Sequence, residues 1–80
     1  MTTMDRLVAV FERVFEDEVD SSAIRPESEL IADLGLNSIA MLYMALELEQ
    51  EFGIKFDNSD FEALRTVGDV LTKVEKKQNM

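Results

Sequence analysis

The sequence predicts one all-α domain. Stretches of apolar residues recur at helical spacing along the 80-residue chain, residues that can cap a helix precede them, and no strand pair or repeat is visible. Because a chain this short supports one core, we expect a single domain over residues 1–80. The pattern predicts a bundle of three longer helices, with a short helix before the last one and a long loop between the first two.

The first helix is expected from about Met4 to Glu16. Thr2 or Thr3 can cap its first amides. Charged residues occupy the opposite face, and a cluster of acids follows at the end where the helix dipole disfavours negative charge. The stripe that would face the core consists of Met4, Leu7, Val8, Phe11, Val14 and Phe15.

A long loop is expected from Asp20 to Asn37. It contains several serines, Pro26 and Gly35, which interrupt regular structure. Loops of this length in compact domains are usually functional. Its apolar residues indicate that it packs onto the core, and they are Ile24, Leu30, Ile31, Leu34 and Leu36.

The second helix is expected from about Ser38 to Phe52. Asn37 or Ser38 stands at the N-cap position, and Gly53 is a natural residue to follow the last turn. The apolar pattern of this helix consists of Ile39, Met41, Leu42, Ala45, Leu46, Leu48 and Phe52.

A connector and a short helix follow the second helix. Ile54 and Phe56 are expected to be buried in an extended segment. The residues from Ser59 to Glu62 match a capping box, which would open a helical turn through Leu64.

The last helix is expected from about Val67 to Lys76. Thr66 and Asp69 have the spacing of a similar cap. Lysines in its tail lie where the helix dipole favours positive charge.

Composition excludes several functions. The chain carries 17 acidic and 8 basic residues, so its net charge of −9 repels phosphate backbones and anionic lipid surfaces. We therefore expect no nucleic-acid binding, and because no apolar run approaches membrane-spanning length, we expect no membrane insertion. Without cysteine or histidine, the chain has no disulfide, no thiolate zinc site and no histidine-based nucleophile. The sequence predicts a protein that is not an enzyme, with no metal site, located in the cytoplasm.

Ser38 is the candidate functional residue. If Asn37 caps the second helix, the Ser38 hydroxyl is free, and a phosphate ester there would be favoured by the positive end of the helix dipole. No base stands nearby in the sequence, so another enzyme would have to catalyse the modification. A purely structural role for Ser38 as the helix cap is the alternative.

The segment around Ser38 resembles a known signature. Residues 30–39 read Leu-Ile-Ala-Asp-Leu-Gly-Leu-Asn-Ser-Ile, which is similar to the Asp-Leu-Gly-x-Asp-Ser-Leu motif of acyl carrier proteins, and the resemblance extends over nearly the whole chain. It implies that a phosphopantetheinyl transferase esterifies Ser38 with 4′-phosphopantetheine from coenzyme A. The thiol of that arm would carry acyl groups as thioesters. Asp33, Gly35 and Asn37 would belong to the same attachment site.

The sequence departs from the family pattern at the start of the second helix. Asn37 stands where the family usually has aspartate, while Ala40 and Tyr43 stand where carriers of primary fatty acid synthesis display acids. No charge occurs from Ser38 to Leu46. We therefore expect a dedicated set of partners at a more apolar docking face. The candidate docking residues are Leu36, Ile39, Ala40, Met41, Tyr43 and Glu47.

The predicted function is that of a monomeric acyl carrier protein. It would serve acyl-transferring, condensing or acyl-activating enzymes in a specialised fatty acid, lipid or polyketide-type pathway. Two alternatives remain open at this point: an aminoacyl or peptidyl carrier, and an unmodified helical protein-interaction module.

Overall fold

The computed structural model describes residues 2–15, 22 and 24–78. In that part of the chain the only strand-like pairing is a single antiparallel bridge between Glu29 and Thr66. The predicted all-α class, with three longer helices and a short one before the last, is confirmed. The helices are α1 (Thr3–Val14), α2 (Ser38–Phe52), α3 (Asn58–Glu62) and α4 (Val67–Gln78).

The three long helices enclose one hydrophobic core. α1 packs most extensively against α2, and α4 contacts both of them. Burying an aliphatic or phenyl side chain of this kind stabilises a fold by about 1.5–3 kcal/mol. The fully buried residues of these helices are Leu7, Val10 and Phe11 in α1, Met44 and Leu48 in α2, and Val67, Val70 and Val74 in α4.

The loop before α2 completes this core. Ile24, Leu30 and Leu36 are buried, and Leu34 is partly buried, as the sequence predicts. Ile31 is 67% exposed, so the expectation that it packs onto the core is wrong. The Leu30 side chain points into the core, and the Ile31 side chain that follows it in the turn points to solvent.

Backbone hydrogen bonds hold the loop against the segment between α3 and α4. They run from Leu30 N to Arg65 O, from Val67 N to Ser28 O and from Gly68 N to Pro26 O, at 2.8–2.9 Å. The approach at Gly68 is so close that a Cβ on this residue would lie 2.9 Å from Pro26 O. Glycine is therefore required where the loop crosses the start of α4.

The first helix is slightly shorter than expected. A capping box joins Thr2 and Asp5 at its start, with Thr2 Oγ1 accepting a hydrogen bond from Asp5 N at 3.1 Å. Its last residue is Val14, because Phe15 leaves helical geometry while its amide still donates to Phe11 O. The expected end at Glu16 lies outside the described residues.

The start of α3 differs from the expected one. Its N-cap is Asp57, whose Oδ1 accepts a hydrogen bond from Asp60 N at 2.8 Å, while Asp60 Oδ2 accepts one from Asp57 N at 3.1 Å. The expectation that Ser59 is the cap is wrong, because the aspartate two residues earlier forms the same reciprocal box. Ser59 lies inside the helix and donates its hydroxyl hydrogen to Asp57. The helix itself ends at Glu62.

The cap of α4 is the predicted one. Thr66 Oγ1 accepts a hydrogen bond from Asp69 N at 3.1 Å, and Asp69 Oδ2 accepts one from Thr66 N at 3.0 Å. The helix continues two residues past the expected Lys76, to Gln78. No helix in the described ranges is long and apolar enough to cross a membrane.

Candidate functional site

Ser38 is the first residue of α2, and Asn37 is its cap. Asn37 Oδ1 accepts a hydrogen bond from Ala40 N at 2.8 Å, and the Asn37 backbone is extended, as expected at an N-cap. Ser38 is exposed, and its hydroxyl has no hydrogen-bond partner among the residues that the structure describes. The hydroxyl is therefore accessible at the positive end of a fifteen-residue helix.

The turn before Ser38 is fixed by its own hydrogen bonds. Asp33 Oδ2 accepts a hydrogen bond from Glu29 N at 2.7 Å, so this carboxylate braces the loop. Gly35 adopts a positive φ of 73°, which favours glycine. Leu36 is 2% exposed and lies in the core, so its expected role as a docking residue on the surface is wrong. Asp33, Gly35 and Leu36 hold the turn that presents Ser38, and the place of Asp33 and Gly35 in the attachment site stays a prediction.

A groove of about 440 Å³ opens beside Ser38, and we call it the Ser38 groove. It lies between the loop, the start of α2, and α3. Four of its seven lining residues are apolar, and two polar lining residues come from α3. The lining residues are Ile31, Ser38, Met41, Leu42, Asn58, Phe61 and Glu62.

Ion pairs hold the α3 wall of the Ser38 groove against α4. Asp60 Oδ2 lies 2.8 Å from Lys77 Nζ, and Asp60 Oδ1 lies 3.3 Å from Lys73 Nζ. The hydrogen bonds from Lys77 and from the Asp57 backbone hold the pKa of Asp60 well below its usual range. Lys77 also lies over the Phe56 ring, 5.7 Å from its centroid. The short helix is thereby anchored in spite of its five-residue length.

The acids of α2 pair with other groups of the chain at the partly exposed surface. Glu51 pairs with Arg6 at 3.0 Å and with Arg13 at 3.2 Å. Hydrogen bonds from the two guanidinium groups lower the pKa of Glu51, and the bond from Arg6 has the larger effect. Glu47, a candidate docking residue, pairs with Arg13 at 3.4 Å. Glu49 accepts a hydrogen bond from a backbone amide of the segment between α2 and α3, at 2.8 Å. Each carboxylate therefore has a partner within the chain.

The exposed face of α2 is apolar. We call the residues at this face the α2 stripe: Ile39 (80% exposed), Leu42 (55%), Tyr43 (47%) and Leu46 (51%). The apolar pattern expected for this helix does not mark one buried face, because the first half of α2 is apolar on nearly all sides, and Ile39, Leu42 and Leu46 are exposed. Met44 and Ala45 face inward there instead.

The remaining candidate docking residues, Ala40 and Met41, are half-buried and pack against the core. Sequence reasoning missed Leu42 and Leu46 as surface residues and Phe61 as a wall of the Ser38 groove. The sequence did contain a signal for Leu42 and Leu46. Ile39, Leu42, Tyr43 and Leu46 have the i, i+3, i+4, i+7 spacing of one helix face. Nothing in the local sequence around Phe61 indicates that α3 meets α2.

The described part of the chain holds no group of three or more acidic, histidine or cysteine side chains that could bind a metal ion. The residues around Ser38 provide an exposed hydroxyl, the free amides of a helix start and an apolar groove. These features suit a phosphate ester that continues into an uncharged arm, because helix N-termini bind phosphate and an apolar groove receives the rest. The 4′-phosphopantetheine group therefore fits the residues present.

Comparisons with known proteins define the class. A family model described as the phosphopantetheine attachment site matches residues 5–74. The acyl carrier protein of Thermotoga maritima is 42% identical over 59 residues, which cover 74% of this chain and 73% of that protein. The meromycolate extension acyl carrier protein of Mycobacterium leprae is 33% identical over 76 residues, which cover 92% of this chain and 66% of the relative's length.

Structural similarity agrees with the sequence matches. The solution structure of a holo acyl carrier protein from Geobacter metallireducens superposes with a TM-score of 0.83 at 28% identity, covering 99% of this chain and 88% of that one. The chain is a phosphopantetheine-dependent carrier and belongs to the acyl carrier protein family. It is a carrier rather than a catalyst, and its cofactor is 4′-phosphopantetheine. Proteins of this family work with a phosphopantetheinyl transferase and with acyl-handling enzymes.

Proposed function

We propose that Ser38 carries the 4′-phosphopantetheine arm and that this protein holds acyl groups as thioesters on the thiol of the arm. The proposal rests on the hydrogen bond that the Ala40 amide donates to the side-chain oxygen of Asn37. Because Asn37 caps α2, the Ser38 hydroxyl is not used for capping and stays exposed at the helix start. Asp33 and Gly35 support the site by holding the turn before it.

The residues of the site bind and orient the arm, and they do not activate Ser38. The amides of the first turn of α2 and its dipole stabilise the charge of a phosphate ester on Ser38. Met41, Leu42 and Phe61 give the arm and the first carbons of an acyl group an apolar surface in the Ser38 groove. Within the described residues no side chain hydrogen-bonds to the Ser38 hydroxyl, so we assign the removal of its proton to the transferase.

We also propose a role in a specialised lipid pathway. Relatives named meromycolate extension acyl carrier proteins support this proposal, since one of them is similar over 92% of this chain. The uncharged first half of α2 supports it as well, because a face without acids would suit a restricted set of partner enzymes. Repulsion between copies of net charge −9 favours a monomer.

Intact mass after incubation with coenzyme A and a phosphopantetheinyl transferase tests the proposal. The wild type should gain one phosphopantetheine adduct, and a Ser38→Ala variant should gain none. If several transferases of broad specificity leave the mass of the folded wild type unchanged, the unmodified interaction module becomes the better hypothesis. Loading the holo protein with fatty acyl or aminoacyl groups then distinguishes an acyl carrier from an aminoacyl carrier.

A further inference from the structure

Two polar side chains of α3, those of Asn58 and Glu62, line the Ser38 groove together with Ser38 itself. Both residues are exposed, and neither side chain has a hydrogen-bond or ion-pair partner within residues 2–15, 22 and 24–78. No contact in this part of the chain uses their polar groups to stabilise the fold. These groups are therefore available to a molecule that lies in the groove.

The anchoring of α3 on α4 gives these two side chains a common direction. Residues four apart in a helix lie on the same face, with about 5–6 Å between their Cβ atoms, so Asn58 and Glu62 form a pair at the groove. Asp60 lies between them in the sequence and is held by Lys73 and Lys77 of α4, at 3.3 and 2.8 Å. One side of α3 is thus fixed to the bundle while the other presents the pair to the groove.

The other sides of the Ser38 groove are apolar apart from Ser38, since the loop contributes Ile31 and α2 contributes Met41 and Leu42. An amide group placed against such a surface loses hydrogen bonds to water, and the loss is costly unless another partner replaces them. Asn58 can both donate and accept a hydrogen bond, and the carboxylate of Glu62 can accept one. The groove therefore suits a neutral chain in which amide groups alternate with methylene groups.

The 4′-phosphopantetheine arm has this composition beyond its phosphate. Its two amide groups are joined through two methylene groups, so their nitrogens are about 5 Å apart when the arm is extended, as standard bond lengths require. This distance is close to the spacing of the Asn58 and Glu62 pair. The amides at the start of α2 hold the phosphate at Ser38, and the part of the arm that reaches α3 is uncharged, so Glu62 does not repel it.

We infer that Asn58 and Glu62 hold the arm in the Ser38 groove through hydrogen bonds to its two amide groups. The inference rests on the proposed function, because it requires the arm on Ser38. Asn58 and Glu62 are then positioning residues, which favour one arrangement of the arm along α3 over an arm that extends into solvent. The two amide protons of the arm should consequently be protected from exchange with water.

The test measures the exchange of these two protons by NMR, in holo protein prepared with coenzyme A labelled with ¹⁵N at both amides. In the wild type, exchange should be at least about threefold slower than in free pantetheine at the same pH. Asn58→Ala and Glu62→Ala should each return at least one of the two protons to nearly the free rate. Glu62→Gln keeps an acceptor oxygen and should keep most of the protection.

Gln50→Ala is the control for loss of an exposed amide side chain. Gln50 lies on α2 and lines a different depression, so the variant should protect the arm as the wild type does. Because Asn58 and Glu62 are exposed, their variants should also fold, and circular dichroism verifies this. Intact mass verifies that each variant carries one arm before exchange is measured.

Several results would overturn the inference. Arm protons that exchange in the wild type as fast as in free pantetheine would place the arm in solvent. Full protection in both alanine variants would assign the binding of the arm to the apolar sides of the groove. Equal losses in Glu62→Gln and Glu62→Ala would show that the charge of Glu62 slows exchange and that its hydrogen bond does not. If the wild type gains no mass with any transferase, the proposed function fails, and the inference fails with it.

Discussion

The side-chain oxygen of Asn37 lies 2.8 Å from the amide nitrogen of Ala40 and accepts its hydrogen bond. This bond satisfies one of the free amides of α2. Asn37→Ala should therefore lower the free energy of unfolding by about 1 kcal/mol, measured by urea denaturation. Asn37→Asp is the matched control, since a carboxylate forms the same cap and suits the helix dipole, and it should retain wild-type stability. An alanine variant as stable as the wild type would contradict the capping role.

Ser38 should contribute little to stability, because it caps nothing. Ser38→Ala should change the free energy of unfolding by less than about 0.5 kcal/mol, as for other surface substitutions, while it abolishes modification. The same urea titration compares it with Asn37→Ala. A loss as large as that of Asn37→Ala would show that the serine is the cap, and the hydroxyl would then not be free for the phosphopantetheine arm.

The features that local chemistry controls were predictable from sequence. The bounds of α2 follow from Asn37 at its cap and Gly53 after its last turn, and Gly53 has the expected positive φ of 65°. The cap of α4 follows from the spacing of Thr66 and Asp69. The exposed serine at the start of α2 was also predictable, although two residues competed for the cap.

The features that depend on tertiary contacts were not predictable. Asp57 and Ser59 both begin an acceptable capping box, and the ion pairs of Asp60 with α4 support the register that begins at Asp57. The Glu47 and Glu51 side chains point toward α1 because Arg6 and Arg13 lie there, and the local sequence of α2 does not contain that information. In α2, an apolar sequence on nearly all sides leaves the inward face to be chosen by packing. The sequence therefore predicts an apolar face on α2 but does not show that Leu42 and Leu46 are among its exposed members.

Gly68→Ala should destabilise the fold at the crossing of the loop and α4. The added Cβ would lie 2.9 Å from Pro26 O, a backbone atom that can move only with the loop. Overpacking of this kind costs about 1–3 kcal/mol, and the better helix propensity of alanine offsets about 1 kcal/mol of it, so we expect a net loss of up to about 2 kcal/mol. Thr72→Ala on the same helix should be neutral or slightly stabilising. Urea denaturation of both variants tests this, and a stabilised Gly68→Ala variant would contradict the close approach.

Stability should fall in acid and stay nearly constant around neutral pH. Hydrogen bonds lower the pKa values of Asp60, Asp69, Asp57 and Glu51 in the folded state, from ordinary values of 3.8 for aspartate and 4.5 for glutamate. The unfolded chain then binds protons first as the pH falls, so this stabilisation is complete above about pH 5 and is lost progressively below about pH 4. The urea midpoint, followed from pH 8 to pH 3, measures this. Without histidine, it should change little between pH 8 and pH 6, and a midpoint that rises between pH 4 and pH 3 would contradict the assigned hydrogen bonds.

Asp60→Asn should loosen α3 and, with it, one wall of the Ser38 groove. The amide can still accept the hydrogen bond from Asp57 N, but it loses the charge that pairs with Lys77 and Lys73. Because the Asp60 side chain is 12% exposed, solvent screens these pairs only in part, and the free energy of unfolding should fall by about 1 kcal/mol. Amide hydrogen exchange should become faster at Leu64, whose N–H donates to Phe61 O at the end of this turn. Glu62→Gln is the matched control, since it removes an equal charge from the same helix at a side chain without an ion pair in the described structure. Equal effects of the two variants would mean that the charge of α3, and not its clamp to α4, holds the wall in place.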